Sequence, residues 1–236
     1  YTLGMVVPSM SGIPNGNEVF SVVPASFTSI YDAAGNAASM NQSNNTVSLN
    51  AIGASLSFDG SNDYVNMDNT SSLAIDGNVS VSAWVKFANF DNSLAAVLSI
   101  HSQTNGYAIE KTASANKLSW WIGDGSDDIE VTTNTLTANT WYHIVGTNDG
   151  TTSKIYVDGS LANSTAQGSP AGPTGDLKIG IHSYETASSR YWNGNIDEVA
   201  VWNDALTQAE VTALYNSGSG LSAASNSGDY TSSTNL

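Results

Sequence analysis

From Val79 to Phe87 the chain sets Val79, Val81, Ala83, Val85 and Phe87 at every second position, with Ser80, Ser82, Trp84 and Lys86 between them. A period of two puts the apolar set on one face, which predicts a half-buried antiparallel strand. The same alternation recurs in Leu56 and Phe58, in Leu118, Trp120 and Ile122, and in Leu177, Ile179 and Ile181. Leu94 to Ile100 is more continuously apolar, Tyr107 and Ile109 mark the next strand, and Ile129 with Val131 marks another short one. Trp141 to Thr147 is apolar and aromatic on both faces, so it is expected near the middle of a sheet. Asp59-Gly60, Asp149-Gly150 and Asp158-Gly159 are tight-turn signals. The last two close hairpins from Trp141–Thr147 into Lys154–Val157 and on to Leu161. Ile196 to Trp202 is the final strong strand. Many short strands with frequent turns, and no alternation of strands with helices, predict a β-sandwich or barrel and argue against a parallel α/β sheet.

One helix stands apart from this pattern. Thr207-Gln208-Ala209-Glu210 reads as a capping box, with Val211 and Leu214 on one face and Asn216-Ser217-Gly218 as its stop. The ends of the chain lose the pattern altogether. Residues 1–50 are interrupted by Gly4, Pro8, Gly12, Pro14 and Asn15-Gly16, and read as an irregular arm. That arm packs either on its own sandwich or on a neighbouring subunit. Residues 51–217 form the β domain. Residues 218–236, rich in Ser, Gly, Ala and Asn, read as a tail that is flexible or held by a partner.

Composition narrows the function. The 236 residues are 40% hydrophobic, enough for a substantial core. Six Lys and Arg against 21 Asp and Glu leave a formal charge of -15, which argues against nucleic acid and against anionic membrane surfaces. It favours solubility and cation binding. Cysteine is absent, so there is no disulfide, thiolate metal site or cysteine nucleophile. No apolar run reaches membrane-spanning length. The first residue is Tyr1 and no signal peptide is visible, which is expected of a processed or partial chain. A surface solvated by Ser, Thr, Asn and Gly suits an extracellular or virion-surface protein.

The order of several motifs is recognisable. Leu56-Ser57-Phe58-Asp59-Gly60, Val81-Ser82-Ala83-Trp84-Val85-Lys86 and Trp141-Tyr142-His143-Ile144-Val145 come first. Asp149-Gly150-Thr151, Ile155-Tyr156-Val157-Asp158-Gly159 and Asn193-Gly194-Asn195-Ile196-Asp197-Glu198-Val199 follow, ahead of Leu206-Thr207 and Glu210. From about Ala54 to Asn216 the chain resembles the laminin-G-like (LamG) jelly rolls of the concanavalin A-like superfamily. The resemblance implies an all-β, two-sheet antiparallel jelly-roll sandwich with one short C-terminal helix. It also implies that the Phe58-Asp59-Gly60 corner lies beside the Ile196-Asp197-Glu198 strand. Members bind carbohydrate, protein or calcium, or act as spacers, so the fold does not choose a role.

Three kinds of chemistry follow. The resemblance implies a structural calcium between the first and last strands, held by carbonyls at Asp59 and Gly60, the carboxylate of Asp197, and a further ligand from Asn62 or Asp63. The alternative is that Asp59-Gly60 is only a turn and Asp197 only ends a strand. A second acidic group, Asp124, Asp127, Asp128 and Glu130, has the donors for a surface cation but reads first as a solvated loop. For a glycan, the aromatic candidates are Trp121, expected to face away from the core side of its strand, and Tyr184, Tyr191 and Trp192 on a polar loop, with Trp121, Tyr191 and Trp192 expected exposed. Catalysis is not expected: the paired carboxylates of a Glu-x-Asp-x-x-Glu run and a Gly-x-Ser-x-Gly elbow are both missing. His101, His143 and His182 are isolated along the chain on predicted strands; each is a candidate pocket base, but the commoner reading is a satisfied histidine in a sheet.

Two roles remain. One is a non-catalytic structural or adhesion protein of a virion, fibre or filament, assembled through its arm and tail. The other is a secreted module binding a glycan or cell-surface polymer.

Overall fold

The computed structural model describes residues 19–21, 46–48, 55–67, 71–102, 104–183 and 190–220. The chain divides into two compact units, Tyr1–Ala54 and Ser55–Leu236. In the first, β1 (Val19–Ser21) pairs antiparallel with β2 (Thr46–Ser48). The rest of the predicted arm, Tyr184 and the tail beyond Gly220 lie outside the described residues.

The second unit is a sandwich of two six-stranded antiparallel sheets. Its strands are β3 (Leu56–Asp59), β4 (Val65–Asn66), β5 (Val79–Phe87), β6 (Ala96–Ser102), β7 (Asn105–Lys111), β8 (Leu118–Asp124) and β9 (Asp128–Thr132). They continue as β10 (Trp141–Asn148), β11 (Thr152–Val157), β12 (Ser160–Ala166), β13 (Lys178–Ile179) and β14 (Asn193–Trp202). The first sheet runs β12-β11-β10-β5-β14-β3 and the second β4-β13-β6-β7-β8-β9. This is the predicted jelly-roll sandwich. The corner and the closing strand do meet, since β3 pairs with β14 through Asn193↔Asp59, Gly194↔Phe58 and Ile196↔Leu56.

Alternation builds the core. Phe58, Val81, Val85 and Phe87 of the first sheet face Leu98, Ile100, Tyr107, Ile109, Trp120 and Ile122 of the second, all nearly inaccessible to water. Each such side chain contributes roughly 1.5–3 kcal/mol of burial. Trp120 also links the sheets, donating its indole N–H to the Thr147 carbonyl at 3.1 Å. Beneath that ring lies Gly146, where a Cβ would come within 2.3 Å of the indole. The position is therefore restricted to glycine by contact.

Two strand expectations need correction. Strand β5 is buried on both faces, Ser80 and Ser82 included. It lies between β10 and β14, and α1 (Gln208–Tyr215) covers part of the outer face. Val145, Tyr156, Trp202, Leu206, Val211 and Leu214 form a second apolar cluster there. Leu94 is not in a strand; it has φ 56 and turns the chain into β6. The capping box is present as predicted. The Glu210 N–H donates to Thr207 Oγ1 at 3.3 Å, and the Thr207 N–H donates to Glu210 Oε2 at 2.8 Å.

Candidate functional site

The corner after β3 is closed by its own side chains. The Ser61 N–H donates to Asp59 Oδ1 at 2.8 Å, and the Asp59 N–H donates to Asp63 Oδ2 at 3.1 Å. Gly60 sits at φ +81, within the region where only glycine is unstrained. Its carbonyl accepts from Asn92 Nδ2 at 2.8 Å, and the same amide donates to the Tyr191 carbonyl at 2.8 Å. Asn92 thereby ties the corner to the segment that enters β14.

This tie bears on the expected calcium site. Asp197 is four residues along β14 from Asn193, the register partner of Asp59. At about 3.3 Å per residue that places it roughly 13 Å away. Asp197 instead pairs with Trp84 on β5, where its Oδ1 accepts from the Glu198 N–H at 2.9 Å. Burial raises its pKa. Asp59, Gly60, Asn62 and Asp63 share the corner, but Asp197 does not join them, so the five do not fit one calcium. The antiparallel register that makes the two segments neighbours also carries Asp197 away from the turn.

The aromatic expectations divide. Trp192 is fully buried, with its ring centroid 4.2 Å from that of Phe87, so it is a core residue. Trp121 does face away from the core side of β8, but it is only 7% exposed, packed against His101 at 4.5 Å. Alternation gives the face of a sheet; it does not reveal that a later segment roofs that face. Tyr191 is half-buried. The sequence reading missed Tyr64, which is 48% exposed. Its ring lies 6.5 Å from that of Tyr191 at a tilt of 54°, and Lys178 Nζ lies 5.8 Å from its centroid. Nearby, Asn66 donates to Asp176 Oδ2 at 2.9 Å. The available signal was Tyr64 preceding the inward-facing Val65, which turns the tyrosine outward. Ring, amide, ammonium and carboxylate are thus gathered at the β4–β13 edge of the second sheet. A surface depression lined by Ser72, Ala74, Asp76, Asn78 and Asn203, among others, has no aromatic side chain.

A family model described as concanavalin A-like lectin/glucanases superfamily, of laminin-G type, matches residues 59–212. The chain belongs to this superfamily. Among solved members of its fold is domain 4 of an extracellular arabinanase from Geobacillus stearothermophilus, in complex with arabinotriose. It is 20% identical, with 69% of this chain and 77% of that one covered and a TM-score of 0.55. A heptameric SAP-like pentraxin from Limulus polyphemus is 17% identical, with 67% and 80% covered and a TM-score of 0.54. Domains LG4-5 of the mouse laminin alpha1 chain are 10% identical, with 69% and 46% covered and a TM-score of 0.50. No curated protein matches the chain.

As a concanavalin A-like domain, the sandwich also brings together side chains that its sequence keeps apart. His101 on β6, Glu110 on β7 and His182 after β13 lie with their ligand atoms within 4.8 Å of one another, all three buried. Burial first, then the nearby His182 and Arg190, pushes His101 down to about 3, so its imidazole is neutral near pH 7. The expected acidic loop is an ordinary turn. Asp124 Oδ1 accepts from the Ser126 and Asp127 N–H groups at 3.0 and 2.9 Å.

Proposed function

We propose that the sandwich is a non-catalytic carbohydrate-binding domain of an extracellular protein, with the Tyr64–Tyr191 corner as its platform. The exposed Tyr64 ring carries this reading. An aromatic face with Asn66, Asp176 and Lys178 nearby offers stacking for a sugar ring and both donors and acceptors for its hydroxyls. The net charge of -15 disfavours acidic glycans, so the ligand class is a neutral oligosaccharide. The arabinanase domain, crystallised with arabinotriose, supports the same class. The missing paired-carboxylate run supports binding without hydrolysis.

The test is an array of neutral oligosaccharides, followed by calorimetry on the best ligand. The intact protein should bind one class. Tyr64→Ala should weaken it about tenfold, equivalent to about 1.4 kcal/mol, with the melting midpoint held. Silence across the array, or equal affinity in the variant, would remove the reading.

A second role is favoured by the β1–β2 ribbon belonging to a compact unit of its own. In it, the arm and tail assemble the protein into a fibre, filament or virion surface, and the sandwich is what is displayed.

A further inference from the structure

Three side chains with lone pairs to offer converge on the outer face of the second sheet. Ile100 and Ile109 point into the core, so His101 and Glu110, the next residue along each strand, point out. His101 lies opposite Gly106 and Glu110 opposite Ala96, with the small Ala108 between them on β7. Gly106 and Ala108 leave the space into which the two longer side chains lean. His182 comes from above, from the segment that follows β13. Ser183 fixes that segment: its hydroxyl accepts from the His101 N–H at 2.9 Å, and its N–H donates to Ser99 Oγ at 3.1 Å. The backbone that carries His182 is therefore held to β6 independently of its imidazole.

The atoms that meet are His101 Nε2, His182 Nε2 and Glu110 Oε2. The two nitrogens are 2.5 Å apart, with their rings at 90°, and Glu110 Oε2 lies 3.2 Å from His182 Nε2. One N–H on His182 can point at only one of these two acceptors. Glu110 Oε2 is buried and has no well-aligned hydrogen-bond donor. A carboxylate left so is costly unless a cation compensates it.

We infer that His101, Glu110 and His182 hold one divalent transition-metal ion, zinc by donor type, which clamps the 181–183 segment onto the second sheet. Two imidazoles and one carboxylate suit zinc and its neighbours, whereas calcium and magnesium require mostly oxygen. On a tetrahedral zinc with ligands at about 2.0–2.1 Å, donor atoms stand roughly 3.3 Å apart. The Glu110–His182 spacing already matches that figure. The imidazoles need to open by less than about 1 Å, and His101 and Glu110, whose ligand atoms lie within 4.8 Å, need to close by at most about 1.5 Å. Trp121 packs on His101 and fixes the orientation of that ring, and a water takes the fourth position of the ion. The site is separate from the tyrosine corner and does not depend on sugar binding.

The experiment uses the whole 236-residue chain without a histidine tag, stripped by chelator and dialysed free of it. Zinc is added, and cobalt in parallel as a spectroscopic stand-in. Uptake of one equivalent per chain is expected, with visible cobalt bands of a four-coordinate site and a midpoint rise of roughly 5 °C at hundredfold excess over Kd. Glu110→Gln, which keeps the shape, should weaken zinc at least tenfold, and His182→Ala should abolish stoichiometric uptake. Less than one equivalent on the intact chain, or unchanged uptake in both variants, would overturn the site. The three groups would then be a hydrogen-bonded triad sharing protons.

Discussion

His143 shows how burial of a single ring makes the whole domain sensitive to acid. It lies on β10, 2% exposed, with Nε2 2.9 Å from Ser82 Oγ and its ring beside Trp84 and Tyr215. The backbone N–H of His143 donates to Asp158 Oδ1 at 2.9 Å. Burial pushes its pKa from 6.5 to about 4. Above pH 6.5 neither folded nor unfolded chain protonates it, and its contribution is complete. Between 6.5 and about 4 the unfolded chain takes up a proton that the folded chain refuses, so stability falls as the pH falls. The loss amounts to about 3 kcal/mol at pH 4. Asp158, whose pKa burial raises, acts in the opposite sense at the acid end, as do Asp197 and Glu198. Comparing intact protein with His143→Gln cancels those groups. Urea titrations from pH 7 to 4 should show a shallower loss in the variant, and parallel curves would count against the assignment. At this scale the sequence was only half legible. The alternation Leu118, Trp120, Ile122 placed Trp120 in the core and turned Trp121 outward. The covering of Trp121 comes from His101, on a strand two places away in the sheet, which no local period encodes.

At the level of elements, the join between the first and last strands rests on a loop side chain. Asn92 precedes β6 and donates to two carbonyls, Gly60 before β4 and Tyr191 before β14. Removing it leaves both carbonyls without that donor in a partly buried site. Asn92→Ala should therefore cost about 1–3 kcal/mol in urea unfolding, more than a typical surface asparagine. A cost under about 0.5 kcal/mol would show that the strands hold together without it. The pairing of β3 with β14 was readable, because Phe58-Asp59-Gly60 and Ile196-Asp197-Glu198 carry hydrophobic period, turn chemistry and a family likeness together. The helix was readable for a similar reason, since Thr207 and Glu210 satisfy each other locally. Asn92 was not, because Asp91-Asn92-Ser93 has the composition of any polar loop and its partners are 32 and 99 residues away. The histidines failed in the same way. His101 and His182 are 81 positions apart, and only the crossing from β13 to the roof over β6 brings them into contact.

For the molecule as a whole, the division at Ala54 and Ser55 separates the binding reading from the assembly reading. The sandwich has its own core, from Phe58 to Val201, and its helix is packed by residues of the same unit. Deleting residues 1–50 should therefore leave the melting midpoint of the sandwich within a few degrees of the intact chain. If the arm assembles the protein, the same deletion should reduce the mass measured by light scattering from an oligomer to a monomer. Net charge sharpens the expectation. Copies carrying -15 each repel one another at low ionic strength, so an assembly held by the arm should strengthen as salt screens that repulsion. An intact chain that is monomeric at every salt concentration, with the truncated chain identical to it, would leave the Tyr64 corner as the basis for a function. Oligomers lost on truncation while oligosaccharide binding persists would assign assembly to the arm and recognition to the sandwich.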